Sequence, residues 1–419
     1  MSIKIINILP DAPWYDGFRH QPRPAIHWDT AQGQWVGIWG ADWPDLIGKE
    51  VLKLTDQFDY EVWQPDLGAD NVYSHRFENG LIHRLFPASL KREFYGIKIK
   101  GSIVCPRMVE AMKRETKVRC IIHLNGDLAS LFNLHLISNI GHFPTIHSLH
   151  GMYVAPNTEM VTWRKNILAN MSHFLNYRKL KRHVANIDWV TAQNRENLEY
   201  LARIGYQGQI ERITMGCDFD FWRPENQEEA KKEFSINPET RVFSMASRFA
   251  PLKRIDRIIE VFTDIHKKYS CPFKLMVAGH GNQGYENYLY NLSQSLMEAG
   301  KLQFTGYLND PEMLRLYRAS DFFISPSKAE GAPVSVMKAL ACEVPVITTP
   351  IGGTYEVMAQ HGAGKVIDPM DYSKWKDDFI NVLSGEKVNI LDREIAKTHF
   401  HWPNIAEKFI AIYQKLATL

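Results

Sequence analysis

Short apolar runs alternate with amphipathic stretches along the chain from about residue 240 onward. The runs are Val242–Ala246, Phe273–Ala278, Leu302–Thr305, Phe322–Ser325 and Val344–Thr348. The stretch after the first run repeats apolar residues with the spacing i, i+3, i+4 and i+7, at Ile255, Ile258, Ile259 and Phe262. Buried strands that alternate with amphipathic helices are typical of a parallel α/β sheet.

The first half of the chain shows the same alternation less regularly. Strands are predicted at Ile3–Leu9, Tyr60–Trp63, Val118–Leu124, Thr145–Leu149, Asp188–Ala192 and Ile210–Thr214, and helices near 104–115, 127–139, 162–184 and 194–203. This pattern predicts a second parallel sheet. We therefore expect an α/β fold with two Rossmann-like parallel-sheet domains that face each other across a cleft.

The predicted domains are residues 1–214 and residues 226–402. Between them, residues 215–225 follow a strand and contain Pro224, which is typical of an interdomain linker. The remaining segment, residues 403–419, is predicted to form a helix that packs back toward the first domain.

Composition and charge exclude several classes of protein. The chain has 419 residues, 45% of them hydrophobic, and 49 Lys+Arg against 47 Asp+Glu give a formal charge of +2. This balance gives no net positive electrostatic field that would bind the nucleic-acid backbone, so we expect no nucleic-acid partner. The five cysteines are odd in number and scattered, which argues against a disulfide framework and a cysteine zinc site. We therefore expect a cytoplasmic protein without a metal site.

Basic residues cluster in the predicted helical segment 164–183. They include Arg164, Lys165, Arg178, Lys179, Lys181 and Arg182. Such a run is usually a solvated face, but peripheral contact with the inner face of the cell membrane would require the same residues. Both interpretations stay open.

Charged and glycine-rich loops follow three predicted strands of the second half. Arg248 and Lys253 follow the strand at 242–246, Glu330 and Gly331 follow the strand at 322–325, and a Gly-Gly pair stands at 352–353. The carboxyl ends of parallel strands meet at one edge of a sheet, where ligands bind. Cations beside helix N-termini favour an anion, so we expect a phosphorylated ligand. The alternative is that the charges are solvated and the glycines only form turns.

The order of these motifs resembles the retaining GT-B glycosyltransferases of the glycogen-synthase-like and lipopolysaccharide-synthesis family, of the glycosyltransferase family 4 type. In the second half the resemblance rests on Arg248, Lys253, Gly279-His280-Gly281, Phe304-Thr305-Gly306-Tyr307, Ser325-Pro326-Ser327, Glu330-Gly331, Ala339–Cys342, Pro345-Val346-Ile347 and Gly352-Gly353. In the first half it is weaker and rests on His123–Gly126 and Ser148–Gly151.

The resemblance implies a metal-independent, retaining hexosyltransferase with no cofactor. Its donor would be a nucleotide sugar, expected to be a UDP- or GDP-sugar, and its acceptor a hydroxyl of a saccharide or lipid-linked molecule. The implied catalytic residues are Glu330, His150, Arg248 and Lys253, with the two cations on the diphosphate and His150 reaching the sugar from the other domain. The implied donor-binding residues are Arg248, Lys253, Gly306, Tyr307, Glu330, Gly331, Ala332, Val334 and Lys338.

Two residues depart from the family pattern. Lys338 stands where relatives have a second glutamate, and an ammonium cannot accept hydrogen bonds from ribose hydroxyls. We expect Lys338 either to pair with an acid such as Glu343 or to donate to ribose or phosphate oxygens. Glu343 replaces a glycine at a helix end, where left-handed backbone geometry would cost about 1–2 kcal/mol.

Lys338 also leaves two other functions open. One is a catalytically inactive glycosyltransferase-like subunit that binds sugar or a partner enzyme, and the other is a sugar-nucleotide epimerase of the same fold.

Asp218 and Asp220 have the spacing of an Asp-x-Asp metal motif, although their place after a strand favours a hinge.

Tryptophans are concentrated near the start of the chain. Among them, Trp14, Trp35 and Trp39 lie in the first 63 residues together with acidic residues such as Asp16. Sugars stack on aromatic faces and hydrogen-bond to carboxylates, so these four residues form a candidate acceptor site. The alternative is that the rings close a small hydrophobic core.

Replacing Trp14, Trp35 or Trp39 by alanine distinguishes these alternatives. If the rings stack on the acceptor, each variant raises the acceptor KM while donor binding and Tm stay nearly unchanged. Steady-state kinetics and a thermal melt provide the measurement. A large fall in Tm with unchanged acceptor kinetics would show that the rings are core.

Overall fold

Two parallel-sheet units make up the part of the chain that the structure describes. The computed structural model describes residues 2–9, 27–29, 34–36, 43–66, 69–94, 97–115, 119–126, 128, 130–150, 180–181 and 184–418. Contacts between Cα atoms divide the chain into a first unit, residues 1–213 with 402–419, and a second unit, residues 214–401. The two parallel sheets confirm the predicted α/β fold class.

The first unit is built on an eight-stranded sheet among its described residues. In chain order, the strands of this unit are β1 (Ile3–Ile8), β2 (His27–Asp29), β3 (Gln34–Val36), β4 (Phe58–Asp66), β5 (Tyr73–Arg76), β6 (Ile82–Pro87), β7 (Ser89–Phe94), β8 (Ile97–Val104), β9 (Cys120–Asn125), β10 (Thr145–Ser148), β11 (Trp189–Ala192) and β12 (Gln209–Arg212). The order in the sheet is β12-β11-β10-β9-β1-β4-β6-β5. Every described pair in it is parallel except β5 with β6. The pairs β2-β3 and β7-β8 form separate antiparallel hairpins.

Helices cover this sheet. They are α1 (Trp43–Leu54), α2 (Pro106–Lys113), α3 (Leu131–Ile140), α4 (Arg195–Ile204) and a C-terminal helix (Trp402–Leu416). The side chains of Ser130 and Asn194 accept hydrogen bonds from the first turns of α3 and α4, which fixes where these helices begin. The C-terminal helix packs on α1. Its residue Tyr413 reaches the sheet, because the Tyr413 hydroxyl lies 2.7 Å from His123 Nδ1.

The second unit contains a fully parallel sheet. Its strands are β13 (Arg241–Ala246), β14 (Phe273–Ala278), β15 (Leu302–Gly306), β16 (Phe322–Ser325), β17 (Val346–Thr348) and β18 (Lys365–Val366). The order is β15-β14-β13-β16-β17-β18. The helices are α5 (Gln227–Glu233), α6 (Ile255–Lys268), α7 (Gln283–Glu298), α8 (Asp310–Ala319), α9 (Val334–Ala341), α10 (Gly353–Gln360), α11 (Tyr372–Leu383) and α12 (Arg393–Phe400).

The apolar face that the sequence predicts for α6 is buried. Ile255, Ile258, Ile259 and Phe262 are each 0% exposed and pack in one core cluster with strand residues such as Phe243. None of the helices in the described ranges has the length and apolar character that crossing a bilayer requires.

The segment 215–225, which the sequence suggests as a linker, is anchored in the second unit. Phe219 and Trp222 are 0% and 3% exposed and belong to a core cluster of that unit. The Cys217 N–H donates to the Phe400 carbonyl at 2.7 Å, and Cys217 forms a parallel bridge with His401. Entry to and exit from the second unit are therefore tied together.

Glu343 adopts the left-handed geometry that the sequence suggests at the end of α9. Its φ is +57°, and the Val344 N–H donates to the Ala339 carbonyl at 2.9 Å, which closes the helix end. The Glu343 side chain is exposed, so little contact energy offsets the backbone strain.

Replacing Glu343 by glycine tests this strain. Relief of about 1–2 kcal/mol of left-handed strain, less about 0.5–1 kcal/mol for the greater freedom of unfolded glycine, predicts a gain of about 0.5–1 kcal/mol. Denaturant unfolding measures the free energy. The control Glu343→Ala keeps the strain and gives no gain, so equal effects of the two substitutions would contradict the explanation.

Candidate functional site

The predicted charged loops meet at the centre of the second sheet. From β13 the chain runs outward through β14 to β15, and it then returns to β16 on the other side of β13. The loops after β13 and β16 therefore diverge from a point where the strand order reverses. In open parallel sheets, ligands bind in the crevice at the carboxyl ends of the strands at such a point.

An ion pair joins these two loops. The Lys253 ammonium donates to Oε1 of Glu330, and the Ser327 hydroxyl donates to the same oxygen at 2.6 Å. The backbone joins the loops as well, since the Lys328 N–H donates to the Leu252 carbonyl at 2.7 Å. The side chains of Lys253 and Glu330 are only 17% and 15% exposed, so the pair is held in place by its surroundings.

Arg248 adds a second cation to this cluster. Its guanidinium is partly buried, and burial lowers the pKa of Arg248 while the charge of the nearby Glu330 raises it. An arginine stays charged at neutral pH even when partly desolvated. These two cations and one carboxylate carry a formal charge of +1, which favours an anionic ligand.

Two glycines allow the loops to approach closely. Gly279 has a φ of +130°, and a Cβ there would lie 1.9 Å from the Ser247 carbonyl oxygen. Gly352 has a φ of +89°, and a Cβ there would lie 3.0 Å from the Gly331 carbonyl oxygen and 3.1 Å from Cβ of Glu330. Any larger residue would displace the strand-end loops.

The loop after β15 presents the predicted residues Gly306 and Tyr307. Gly306 has a φ of +71° and the Tyr307 side chain is 75% exposed. The Tyr307 N–H donates to Nε2 of His280 at 2.9 Å, and Nδ1 of His280 lies 3.3 Å from Oε1 of Glu286. His280 thus positions this loop. Its role was not predicted from the sequence, although its place between two strand-end glycines was a usable signal.

The loop after β16 also leads into the N-terminus of α9. The N–H groups of Val336 and Met337 donate to the Pro333 carbonyl, so the helical hydrogen bonds begin after Val334. N–H groups in a first turn have no partner within their own helix. The predicted donors Gly331, Ala332 and Val334 belong to this turn and the loop before it.

Lys338 pairs with Asp310, not with Glu343. Its ammonium lies 2.9 Å from Asp310 Oδ1 and 4.1 Å from the centroid of the Trp222 ring. Lys338 does pair with an acid, which is one of the two expected outcomes, but the acid is not Glu343, because residues five positions apart do not share a helix face. The Lys338 side chain is 22% exposed and is held between an acid and an aromatic ring.

In the first unit, His150 lies at the carboxyl edge of the sheet. Its Nε2 is 3.2 Å from Oδ1 of Asn125, its Nδ1 is 2.9 Å from Nε2 of Gln193, and its ring centroid is 3.9 Å from that of Trp43. Burial, with a smaller contribution from His147, lowers the pKa of His150 to about 3. The ring is therefore neutral at physiological pH. Gln193 was missed, although it directly follows a strand, as the predicted site residues do.

Several predicted residues lie outside the described part of the chain. These are Trp14, Asp16, Trp39 and most of the basic segment 164–183, while of Trp35 only the backbone, in β3, is described. Asp218 and Asp220 form a local turn, with Oδ1 of Asp218 accepting from the N–H of Asp220 at 2.9 Å. Within the described ranges, no three His, Cys, Asp or Glu residues form a group that could hold a metal ion.

Comparison with known proteins places this site in context. Residues 226–399 match the sequence model of the family "Glycosyl transferases group 1". The D-inositol 3-phosphate glycosyltransferase of Corynebacterium urealyticum is 24% identical over 224 residues, which cover 51% of this chain and 53% of that protein. The Segniliparus rotundus protein of the same name is 20% identical over 371 residues, covering 86% of this chain and 79% of that protein. The first of these alignments thus spans about half the length of the relative.

Solved structures resemble the whole chain. Sucrose-phosphate synthase from Thermosynechococcus elongatus aligns with a TM-score of 0.71 and 16% identity over 99% of both chains. The Anabaena protein HepE in complex with UDP and glucose aligns with a TM-score of 0.65 and 16% identity over 100% of both chains. At this identity the likeness shows the fold, which is that of GT-B glycosyltransferases. The chain thus has the GT-B fold, and its residues 226–399 match the model of the group 1 glycosyltransferases.

Proposed function

We propose that the chain is a retaining glycosyltransferase that moves a hexosyl group from a nucleotide-diphosphate donor to a hydroxyl. The observation that carries the proposal is the cluster of Arg248, Lys253 and Glu330 at the strand-order reversal of a group 1 domain. Two cations and the first turn of α9 provide an anion site there.

The cluster matches the charge that sugar transfer develops. When the bond between the anomeric carbon and the phosphate oxygen breaks, its electron pair stays on the diphosphate. Fixed cations and backbone N–H groups stabilise that charge most when they are already in position. Arg248 and Lys253 supply such cations without reorganisation, and this is why the proposed reaction needs no metal ion.

The anomeric configuration of the sugar is retained if the acceptor attacks from the same face that the diphosphate leaves. The acceptor oxygen then forms the new bond to the anomeric carbon, and its proton passes to an oxygen of the departing phosphate. The leaving group therefore acts as the base, and a pair of carboxylates at glycosidase spacing is not required.

Glu330 and Lys253 have complementary tasks in this scheme. A carboxylate oxygen accepts hydrogen bonds, so Glu330 is suited to orient hydroxyls of the donor sugar. An ammonium has three N–H donors, so Lys253 can keep one bond to Glu330 while another contacts phosphate. The existing ion pair thus holds the sugar-binding and phosphate-binding groups at a fixed separation.

The donor and acceptor are proposed by class. A UDP- or GDP-sugar is the proposed donor, supported by a structural neighbour in complex with UDP-glucose. A saccharide or lipid-linked hydroxyl is the proposed acceptor, with a candidate acceptor site in the tryptophan-rich segment. The names of the curated relatives add an inositol phosphate as an acceptor to test.

Removing either cation should strongly lower the rate of sugar transfer. Arg248→Ala or Lys253→Ala is expected to lower kcat/KM at least ~100-fold, about 2.7 kcal/mol of lost transition-state stabilisation. Initial rates with a panel of nucleotide sugars provide the measurement, and EDTA should change the wild-type rate little.

A matched control is Arg257→Ala, since Arg257 lies near the start of α6 but is 45% exposed and paired with Glu260. This control should keep wild-type kinetics. Near-normal turnover of both site variants, or loss of wild-type activity in EDTA, would contradict the mechanism.

Lys338 sets the expected ribose selectivity. An ammonium has no acceptor for ribose hydroxyls, and Asp310 and Trp222 hold this one in place. We expect 2′-deoxy and 3′-deoxy donors to lose less than the roughly 1–3 kcal/mol that an unpaired buried acceptor would cost. Isothermal titration calorimetry of ribo- and deoxyribonucleotide donors provides the measurement.

The same titration with Lys338→Glu restores the acceptor and should increase discrimination against deoxy donors. Strong discrimination by the wild type, together with loss of donor binding in Lys338→Glu, would make Lys338 a specific ribose contact. Failure of the wild type to bind any nucleotide would favour the inactive-subunit alternative.

A further inference from the structure

His150 is enclosed by two buried amide side chains in the first unit. Asn125 ends β9 and Gln193 directly follows β11, while His150 lies two residues beyond β10, the strand between them. Asn125 and Gln193 are 1% and 3% exposed, so water does not compete for their amides. Both ring nitrogens of His150 lie within hydrogen-bond distance of these residues.

The orientation of the Asn125 amide follows from its other partners. Its Nδ2 donates to the Ile8 carbonyl at 2.9 Å and to Oδ1 of Asn7. A backbone carbonyl only accepts, so the atom facing it must be the amide nitrogen. Asn7 fits this assignment, because its own Nδ2 donates to the Tyr60 hydroxyl at 2.6 Å. The oxygen of Asn125 therefore faces His150, and Nε2 of His150 must carry a proton.

The protonation state of the other ring nitrogen, Nδ1 of His150, then follows. The nearby titratable groups are His147 on β10 and His123 on the neighbouring strand β9, which are also buried, and burial lowers the pKa of both. No carboxylate is among the groups that shift the pKa of His150. A neutral ring protonated on Nε2 has an acceptor at Nδ1, which matches the N–H of the Gln193 amide.

We propose that Asn125 and Gln193 are positioning residues that hold His150 as a neutral imidazole with its proton on Nε2. The effect of this arrangement on catalysis rests on the function proposed above. Since both nitrogens are engaged within the first unit, His150 does not exchange a proton with substrate.

Nuclear magnetic resonance tests the proposal without any activity. Protein labelled with ¹⁵N-histidine should give His150 one pyridine-type signal, from Nδ1, and one pyrrole-type signal, from Nε2. His150→Asn assigns both signals by their loss. The wild-type signals should stay constant between about pH 5 and 8, where an unperturbed histidine titrates.

Gln193→Glu should change this pattern. A carboxylate facing Nδ1 favours the imidazolium and raises the pKa of His150 by about 1–3 pKa units, so two pyrrole-type signals appear toward the acid end. Transfer by this variant should then gain a pH dependence, with kcat/KM halved at the His150 pKa and about tenfold lower one pH unit below it, as the ring becomes charged. The control Gln207→Glu adds the same charge at an exposed position and should leave both nitrogens unchanged.

Gln193→Met keeps the side-chain length but removes the donor. It should leave the proton on Nε2, held by Asn125, and shift only the Nδ1 signal, which covers the case in which Gln193→Glu does not fold. A wild-type proton on Nδ1, an imidazolium at neutral pH, or unchanged Nδ1 signals in both Gln193 variants would overturn the proposal. Absence of transfer by the wild type would overturn the proposed function and leave these signals to decide the positioning role.

Discussion

The ion pair between Lys253 and Glu330 is the interaction on which the candidate site depends. It bridges the two loops that leave the second sheet in opposite directions, and Ser327 reinforces it on the Glu330 side. Without a carboxylate in this position, Arg248 and Lys253 would be two like charges at a partly desolvated edge. The carboxylate allows both cations to be held in advance of a ligand, and the three groups together keep a net positive charge.

The two units hold their candidate site side chains in different ways. In the second unit, charged side chains lie on short loops that glycines allow to approach closely, as at Gly279 and Gly352. In the first unit, neutral amides and imidazoles form a buried network around His150 whose orientation traces back to the Ile8 carbonyl. A backbone acceptor cannot change its role, so it imposes one arrangement on the side chains linked to it.

Sequence reasoning went furthest where one local rule decides the outcome. The periodicity at 255–262 is enough to predict the buried face of α6, and the strand-end rule is enough to bring Lys253 and Glu330 to one place. Prediction failed where partners come from distant parts of the chain. Nothing near Lys338 in sequence identifies Asp310, 28 residues earlier, as its partner. The hairpin β7-β8 was also missed, because its strands Ser89–Phe94 and Ile97–Val104 carry too many charged residues to stand out as apolar runs.

The contact between Cys217 and the 400–401 backbone has a consequence for how the protein is made. The two crossings of the chain between the units begin and end at this contact, so the second unit is inserted into the first, with neighbouring ends. On the ribosome, all residues of the second unit are synthesised before Trp402–Leu416, whose Tyr413 hydroxyl meets the buried His123. The second unit can therefore fold while the first still lacks a helix of its core. Until the helix Trp402–Leu416 has been synthesised, the apolar surface that it covers in the first unit stays exposed.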